Sequence, residues 1–132
     1  MKIGLLGGSF DPIHKGHIEI ASEAITSLSL DSFYFIPTKN NPWKDNQNAP
    51  GASRKEMIEI AIHQDPKMKV CTIELDSLSN EKNYTIDTIH ALKKMYPDDT
   101  LYYLMGMDQA MAFEKWKNAE DISKLVQLVA FN

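Results

Sequence analysis

The 132 residues predict a single α/β domain, a parallel sheet with helices on both faces. Three observations carry that expectation. Short apolar runs alternate along the chain with amphipathic stretches of helical period. Proline or glycine closes several of them, as at Pro37, Pro97 and Gly106. A chain of this length supports one core and is too short for two.

Each element follows from its own residues. Residues 3–6 (Ile, Gly, Leu, Leu) read as a buried first strand. From Gly16 onward Ile18, Ala21, Ala24, Ile25 and Leu28 recur at helical spacing and give a first helix with one apolar face. Residues 33–36 are rich in β-formers and stop at Pro37, so they form a second strand. Residues 38–52 hold Asn, Pro, Trp, Lys and Gly without periodicity, and a loop of that length in a compact domain points to function, often as a lid. Ser53 followed by Glu56 matches a capping box, and Met57, Ile58, Ala61 and Ile62 carry a second helix onward. Residues 68–73 alternate and give a third strand. After a polar loop, residues 85–95 place Ile86, Ile89 and Leu92 on one helical face and stop before Pro97. Residues 101–105 form a fourth strand ending at Gly106. Asn118 or a neighbour caps a short helix through Leu125, and residues 128–131 form a fifth strand.

Composition narrows the function classes. Hydrophobic residues at 43% and charged residues at 24% place the chain among ordinary water-soluble globular domains. No apolar run approaches the roughly 20 residues of a membrane helix. The apolar start is too short for a signal peptide, and Gly7-Gly8 interrupts it. The lone Cys71 rules out an internal disulfide, so a reducing, cytoplasmic setting is expected. A net charge of -4 argues against nucleic acid as a partner, yet a few aimed donors suffice for a small anionic ligand.

The strongest local signal is Gly7-Gly8-Ser9-Phe10-Asp11-Pro12-Ile13-His14-Lys15-Gly16-His17, between the first strand and the first helix. In an open parallel sheet ligands gather at the carboxyl ends of strands, where this turn must lie. Paired glycines let backbone approach a ligand closely, and the helix N-terminus adds partial positive charge that suits phosphate. His14 and His17 stand three apart, so both rings can face one site, donate to phosphate oxygens and carry partial charge at neutral pH. Other glycine-loop chemistries fail on spacing. Neither the P-loop pattern nor Gly-x-Gly-x-x-Gly occurs. The histidines lack the Glu of a His-Glu-x-x-His zinc site, and no cysteine pair exists.

This turn resembles the signature of the HxGH nucleotidyltransferase superfamily, with His14-Lys15-Gly16-His17 as its core. The resemblance implies a Rossmann-like fold and transfer of a nucleotidyl group from a triphosphate, with Mg²⁺ assistance and release of pyrophosphate. Gly7, Gly8, Ser9 and Phe10 would then meet the nucleotide through their backbone, and His14 and His17 would hold the triphosphate.

Three further segments are similar to the nicotinate-nucleotide adenylyltransferase branch. Asn41-Pro42-Trp43-Lys44 resembles its Pro-Pro-His-Lys; Trp43 departs from the histidine, so only the cation of Lys44 carries over, closing on the phosphates. Asn83-Tyr84-Thr85-Ile86-Asp87-Thr88 resembles Ser-Tyr-Thr-x-Asp-Thr, which contacts the nicotinate end of the substrate and implicates Tyr84 and Thr85. Taken by itself, Thr85 reads as the cap of the third helix. Gly106-Met107-Asp108, with Phe113 and Trp116, resembles Gly-x-Asp-x-x-x-x-Phe-x-x-Trp. Gly106 and Asp108 would serve ribose or adenine, Trp116 would stack on the pyridine ring, and Phe113 would pack; judged singly, Asp108 reads as an N-cap and Trp116 as core.

The resemblance implies ATP and nicotinate mononucleotide as substrates, joined to give deamido-NAD in NAD biosynthesis. Phosphopantetheine adenylyltransferase shares the first motif and is the alternative enzyme. That branch also carries a later segment resembling Ile-Ser-Ser-Thr-x-x-Arg, which binds ATP phosphates, whereas this sequence stops at Phe131-Asn132. The expectation is therefore a shortened chain, with a weakly active nucleotide-binding fragment as the non-enzymatic alternative and exposed apolar surface favouring a homo-oligomer.

Overall fold

The computed structural model describes residues 1–39, 49–77 and 84–132. Among these, five strands pair entirely in parallel: β1 (Lys2–Gly8), β2 (Ser32–Pro37), β3 (Met68–Val70), β4 (Thr100–Gly106) and β5 (Gln127–Phe131). Their order across the sheet is β3-β2-β1-β4-β5. The helices are α1 (Lys15–Leu28), α2 (Gly51–Ile62), α3 (Thr85–Met95), α4 (Met107–Met111) and α5 (Ala119–Leu125), with a 3-10 turn at Phe113–Lys115.

The pleat divides each central strand between two apolar layers. Ile3 and Leu5 of β1, Ile36 of β2 and Leu101, Tyr103 and Met105 of β4 face α3 and α5, where Ile86, Ile89, Leu92 and Ile122 meet them. Leu6, Phe33, Phe35 and Leu104 face the other way, onto Ala21 and Ala24 of α1 and Ile58 and Ile62 of α2. Strands buried on both faces read as continuous apolar runs, which is why β1, β2 and β4 stand out in the sequence. Each fully buried Leu, Ile or Phe contributes roughly 1.5–3 kcal/mol by leaving water. On the outer side of β5 the cover is thinner. An open groove of about 370 Å³ lies between α1 and β5, lined by Ile20, Ala24, Leu28, Leu104, Val129 and Phe131. Among the described residues no helix is long and apolar enough to cross a membrane.

Two local expectations are corrected. β3 ends at Val70 rather than at residue 73. The Cys71 amide still donates to the Phe35 carbonyl at 2.8 Å, but the chain then folds into a turn. The Asp76 amide donates to the Thr72 carbonyl, and the Thr72 hydroxyl donates to the Asp76 carboxylate at 2.8 Å. A threonine side chain bonding locally outcompetes the strand ladder here.

Ser53 does not cap α2. The helix starts at Gly51, with Pro50 as its N-cap and no side-chain cap. The Arg54 amide donates to the Pro50 carbonyl at 3.1 Å, and the Arg54 side chain is buried beneath the β1–α1 turn. That anchorage extends the helix ahead of the Ser53-Glu56 pattern.

Candidate active site

The strand order reverses between β1 and β4, so a crevice opens at their carboxyl ends. Gly7 and Gly8 are the last residues of β1, in register with Ile36 and Pro37, and neither has a positive φ. Gly7 is small for a different reason. A Cβ there would lie 2.9 Å from the Tyr103 hydroxyl. The left-handed position belongs to Phe10, at φ 48°. Its ring is buried, 3% exposed, edge-on to Phe35 at 5.6 Å and to His17 at 5.0 Å. A buried aromatic ring and a backbone conformation that L-residues disfavour thus meet at one residue.

His14 is the N-cap of α1, and the two histidines are brought together. Their rings stack at 3.8 Å with 28° between planes. The Gly16 amide donates to Nδ1 of His14, and the His14 amide donates to Nδ1 of His17, each at 3.1 Å. A neutral imidazole that accepts at Nδ1 carries its hydrogen on Nε2. Both rings therefore offer an Nε2–H donor from one helix N-terminus, where the dipole already favours an anion. The expectation of partial charge fails at His17. Burial, and then the neighbouring His14, push it down to about 4, so it is a neutral donor at physiological pH.

A second group converges behind β4. The Tyr103 ring meets Trp116 edge-on at 6.2 Å, and Phe113 lies 5.3 Å from Trp116, both packed on the α3-side core. Thr85 interacts with the Tyr103 hydroxyl, while burial pushes that phenol up to about 12. Thr85 is the first residue of α3 and not its cap; Tyr84 holds the N-cap position, without a side-chain bond. The Tyr84 ring is exposed beneath Lys117, whose Nζ lies 4.7 Å from its centroid. Gly106 is the N-cap of α4, and Asp108 lies exposed in that helix's first turn, so Asp108 is not the cap either. Lys44, with Asn41, Pro42, Trp43 and Asn83, lies outside the described residues.

Two charged residues that sequence reasoning passed over are buried beside this machinery. Arg54 is 2% exposed; its Nη1 donates to the Ser9 carbonyl at 2.8 Å and its Nε to the Ala49 carbonyl at 3.0 Å. Its signal was its register, since Arg54, Ile58 and Ile62 form one four-residue stripe on α2. Glu74 is 9% exposed, and the Thr88 hydroxyl donates to its Oε2 at 2.8 Å. Its buried Oε1 has no hydrogen-bond partner among the described residues, and burial pushes the carboxyl up to about 7. Nothing in the sequence marked it. Burial also raises the Cys71 thiol, which disfavours a thiolate nucleophile.

A cytidylyltransferase-like family model matches residues 5–132. The chain is 41% identical over 132 residues to a Shouchella clausii protein named "Probable nicotinate-nucleotide adenylyltransferase", covering 99% of this chain and 68% of that one. It is 34% identical over 129 residues to the nicotinate-nucleotide adenylyltransferase of Bacillus subtilis, covering 97% and 67%. The chain belongs to the nicotinate-nucleotide adenylyltransferase family. That family is a class of nucleotidyltransferase enzymes. The fold agrees. A Plasmodium falciparum nicotinic acid mononucleotide adenylyltransferase complexed with NaAD superposes with a TM-score of 0.76 at 21% identity, covering 99% of this chain and 74% of that one. The Rossmann-like parallel sheet expected from the sequence is the sheet observed. The chain spans about two thirds of the length of the two curated relatives.

Proposed function

We propose that this chain transfers the adenylyl group of ATP to nicotinate mononucleotide, releasing pyrophosphate. A phosphate oxygen of the mononucleotide attacks the α-phosphorus of ATP, and the bond from that phosphorus to the β-bridging oxygen breaks. Two anions must meet in line, so the work of the protein is positioning and charge stabilisation. The observation that carries the reading is the paired Nε2–H donors of His14 and His17 at the α1 N-terminus, at the mouth of the β1–β4 crevice.

In this reading the histidines take the triphosphate, and the backbone of Gly7, Gly8, Ser9 and Phe10 lines the nucleotide junction. Gly106 and Asp108 serve the ribose or adenine. Tyr84, Thr85 and Trp116 receive the pyridine end, and Lys44, outside the described residues, is assigned to the phosphates. Among the described residues no three of His, Cys, Asp and Glu converge into a metal cage. A Mg²⁺ ion accompanying ATP would neutralise charge on its phosphates.

The test is pyrophosphate release by the purified chain given ATP and nicotinate mononucleotide. Release that requires both substrates is the expected result. Release with phosphopantetheine instead would move the assignment to the alternative branch. Binding of ATP without release under either pairing would reduce the chain to a nucleotide-binding module.

A further inference from the structure

Arg54 places a guanidinium, a permanent cation that water solvates in the unfolded chain, almost wholly inside the protein. Such burial is tolerated only where the group's donors are met. Here they meet main chain rather than a carboxylate in direct contact: the Ser9 carbonyl at 2.8 Å and the Ala49 carbonyl at 3.0 Å. Asp11 stands close enough to favour the cation, and its Oδ2 accepts the Ala49 amide at 3.1 Å. The three bonds form a clasp. They join the residues entering α2 to the turn that leaves β1.

The clasp has a directional consequence. A trans peptide is planar, so its C=O and N–H point in opposite directions. Fixing the Ser9 carbonyl toward Arg54 therefore aims the Phe10 amide away from Arg54. Phe10 is also the residue held at φ 48°, so the same peptide is constrained from both sides. No described residue accepts the Phe10 amide within a turn or loop.

We infer that Arg54 is a positioning residue for the transfer reaction: through the Ser9 carbonyl it orients the Phe10 amide as a donor to the triphosphate. The inference rests on the function proposed above. Arg54 touches no reacting atom; it acts through the turn. A lysine at this position keeps the charge but not the fork, and cannot hold two carbonyls in fixed directions.

The experiment compares wild type, Arg54→Lys and Arg54→Met by thermal melting, by separate calorimetric titrations with ATP and nicotinate mononucleotide, and by steady-state kinetics. A folded Arg54→Lys should lose roughly 100-fold in kcat, the scale of a small misplacement. Its ATP Kd should weaken roughly tenfold while the mononucleotide Kd stays within about twofold. Unchanged ATP binding and kcat in a folded variant overturns the inference, as does equal weakening of both ligands, which is what general loosening produces. If neither variant folds, the wild-type amide spectrum decides. The Phe10 amide should shift on adding ATP and not on adding the mononucleotide, and a Phe10 signal indifferent to saturating ATP rejects the role. Wild type that neither binds ATP nor releases pyrophosphate fails the functional reading first, and is told apart from all of these by that control.

Discussion

The His14 and His17 rings stack 3.8 Å apart, and each commits its Nδ1 to a backbone amide of the turn. Protonating His17 would put a hydrogen on the nitrogen that must accept, so the cap and the cation exclude each other. Burial and the neighbouring ring act in the same direction, from 6.5 down to about 4. Nitrogen-detected NMR of the free protein should show His17 as the Nε2–H tautomer, with titration only as the pH approaches that value. The sign for stability follows. Between 6.5 and about 4 the unfolded chain takes up the proton first, so this contribution is present at neutral pH and lost on acidification. A His17 signal that titrates near 6.5 would contradict the packing.

His17→Ala separates chemistry from capping. Losing the side chain that accepts the His14 amide should cost about 1 kcal/mol, as for other helix caps. Losing a preorganised donor to the developing charge should lower kcat roughly 100-fold or more. Pyrophosphate release and a thermal melt on one preparation give both numbers. Near-normal turnover in a folded variant removes His17 from the mechanism.

Gly7 and Tyr103 should show a compensating pair. The Cβ of Gly7→Ala would lie 2.9 Å from the Tyr103 hydroxyl but 3.9 Å from the ring carbon that bears it. Overpacking of this kind costs about 1–3 kcal/mol. Tyr103→Phe removes the colliding atom and leaves an ordinary contact. Denaturant melts of both single variants and the double variant should recover most of the Gly7→Ala loss in the double. Simple additivity of the two losses would show that the hydroxyl is not what excludes a side chain at Gly7.

What could be read from the sequence follows from what each signal encodes. The apolar runs of β1, β2 and β4 and the stripe of Ile86, Ile89 and Leu92 report burial directly, so the sheet and its helical cover were legible. The pairing of His14 and His17 was legible because the two lie three residues apart at the start of one helix, whereas the packing of the Phe10 ring against His17 was not. Contacts between distant segments were not. The Ser53-Glu56 spacing satisfies a capping rule, yet Arg54, bonded to Ser9 across 45 residues, sets where α2 begins. Thr85 suits a cap by residue type, but it interacts with Tyr103 of strand β4. His17 loses its expected charge because a pKa depends on surroundings rather than on identity. Glu74 illustrates the limit, since a carboxylate between Ile73 and Leu75 reads as solvent-facing until Thr88 is folded against it.

Glu74 should make the protein less stable as the pH rises. Its folded value, about 7, exceeds the ordinary 4.5, chiefly through burial, with the Thr88 bond opposing. Between those values the folded state holds a proton that the unfolded state releases, so stability falls with rising pH. At 1.36 kcal/mol per unit the loss is roughly 3 kcal/mol, complete above about 7. Glu74→Gln keeps a polar group beside Thr88 without the titration. It should match wild type near pH 4.5 and melt higher at pH 8. Parallel melting curves across that range would show that the carboxyl is not buried in its charged form's absence as described.

Phe10 combines a buried ring with a left-handed backbone, and two substitutions divide these terms. Phe10→Ala and Phe10→Gly both delete the ring that meets Phe35 and His17, a loss of about 3–5 kcal/mol. Alanine also keeps the Cβ that a positive φ disfavours, at roughly 1–2 kcal/mol, whereas glycine adopts that conformation freely. Glycine gives part of this back through the entropy of the unfolded chain. The net expectation inverts the order seen in regular structure: Phe10→Gly should melt above Phe10→Ala by about 1 kcal/mol. If alanine is instead the more stable, the turn relaxes out of the left-handed region once the ring is gone. The ring would then be the cause of that backbone conformation, and the amide of residue 10 would lose its orientation in both variants.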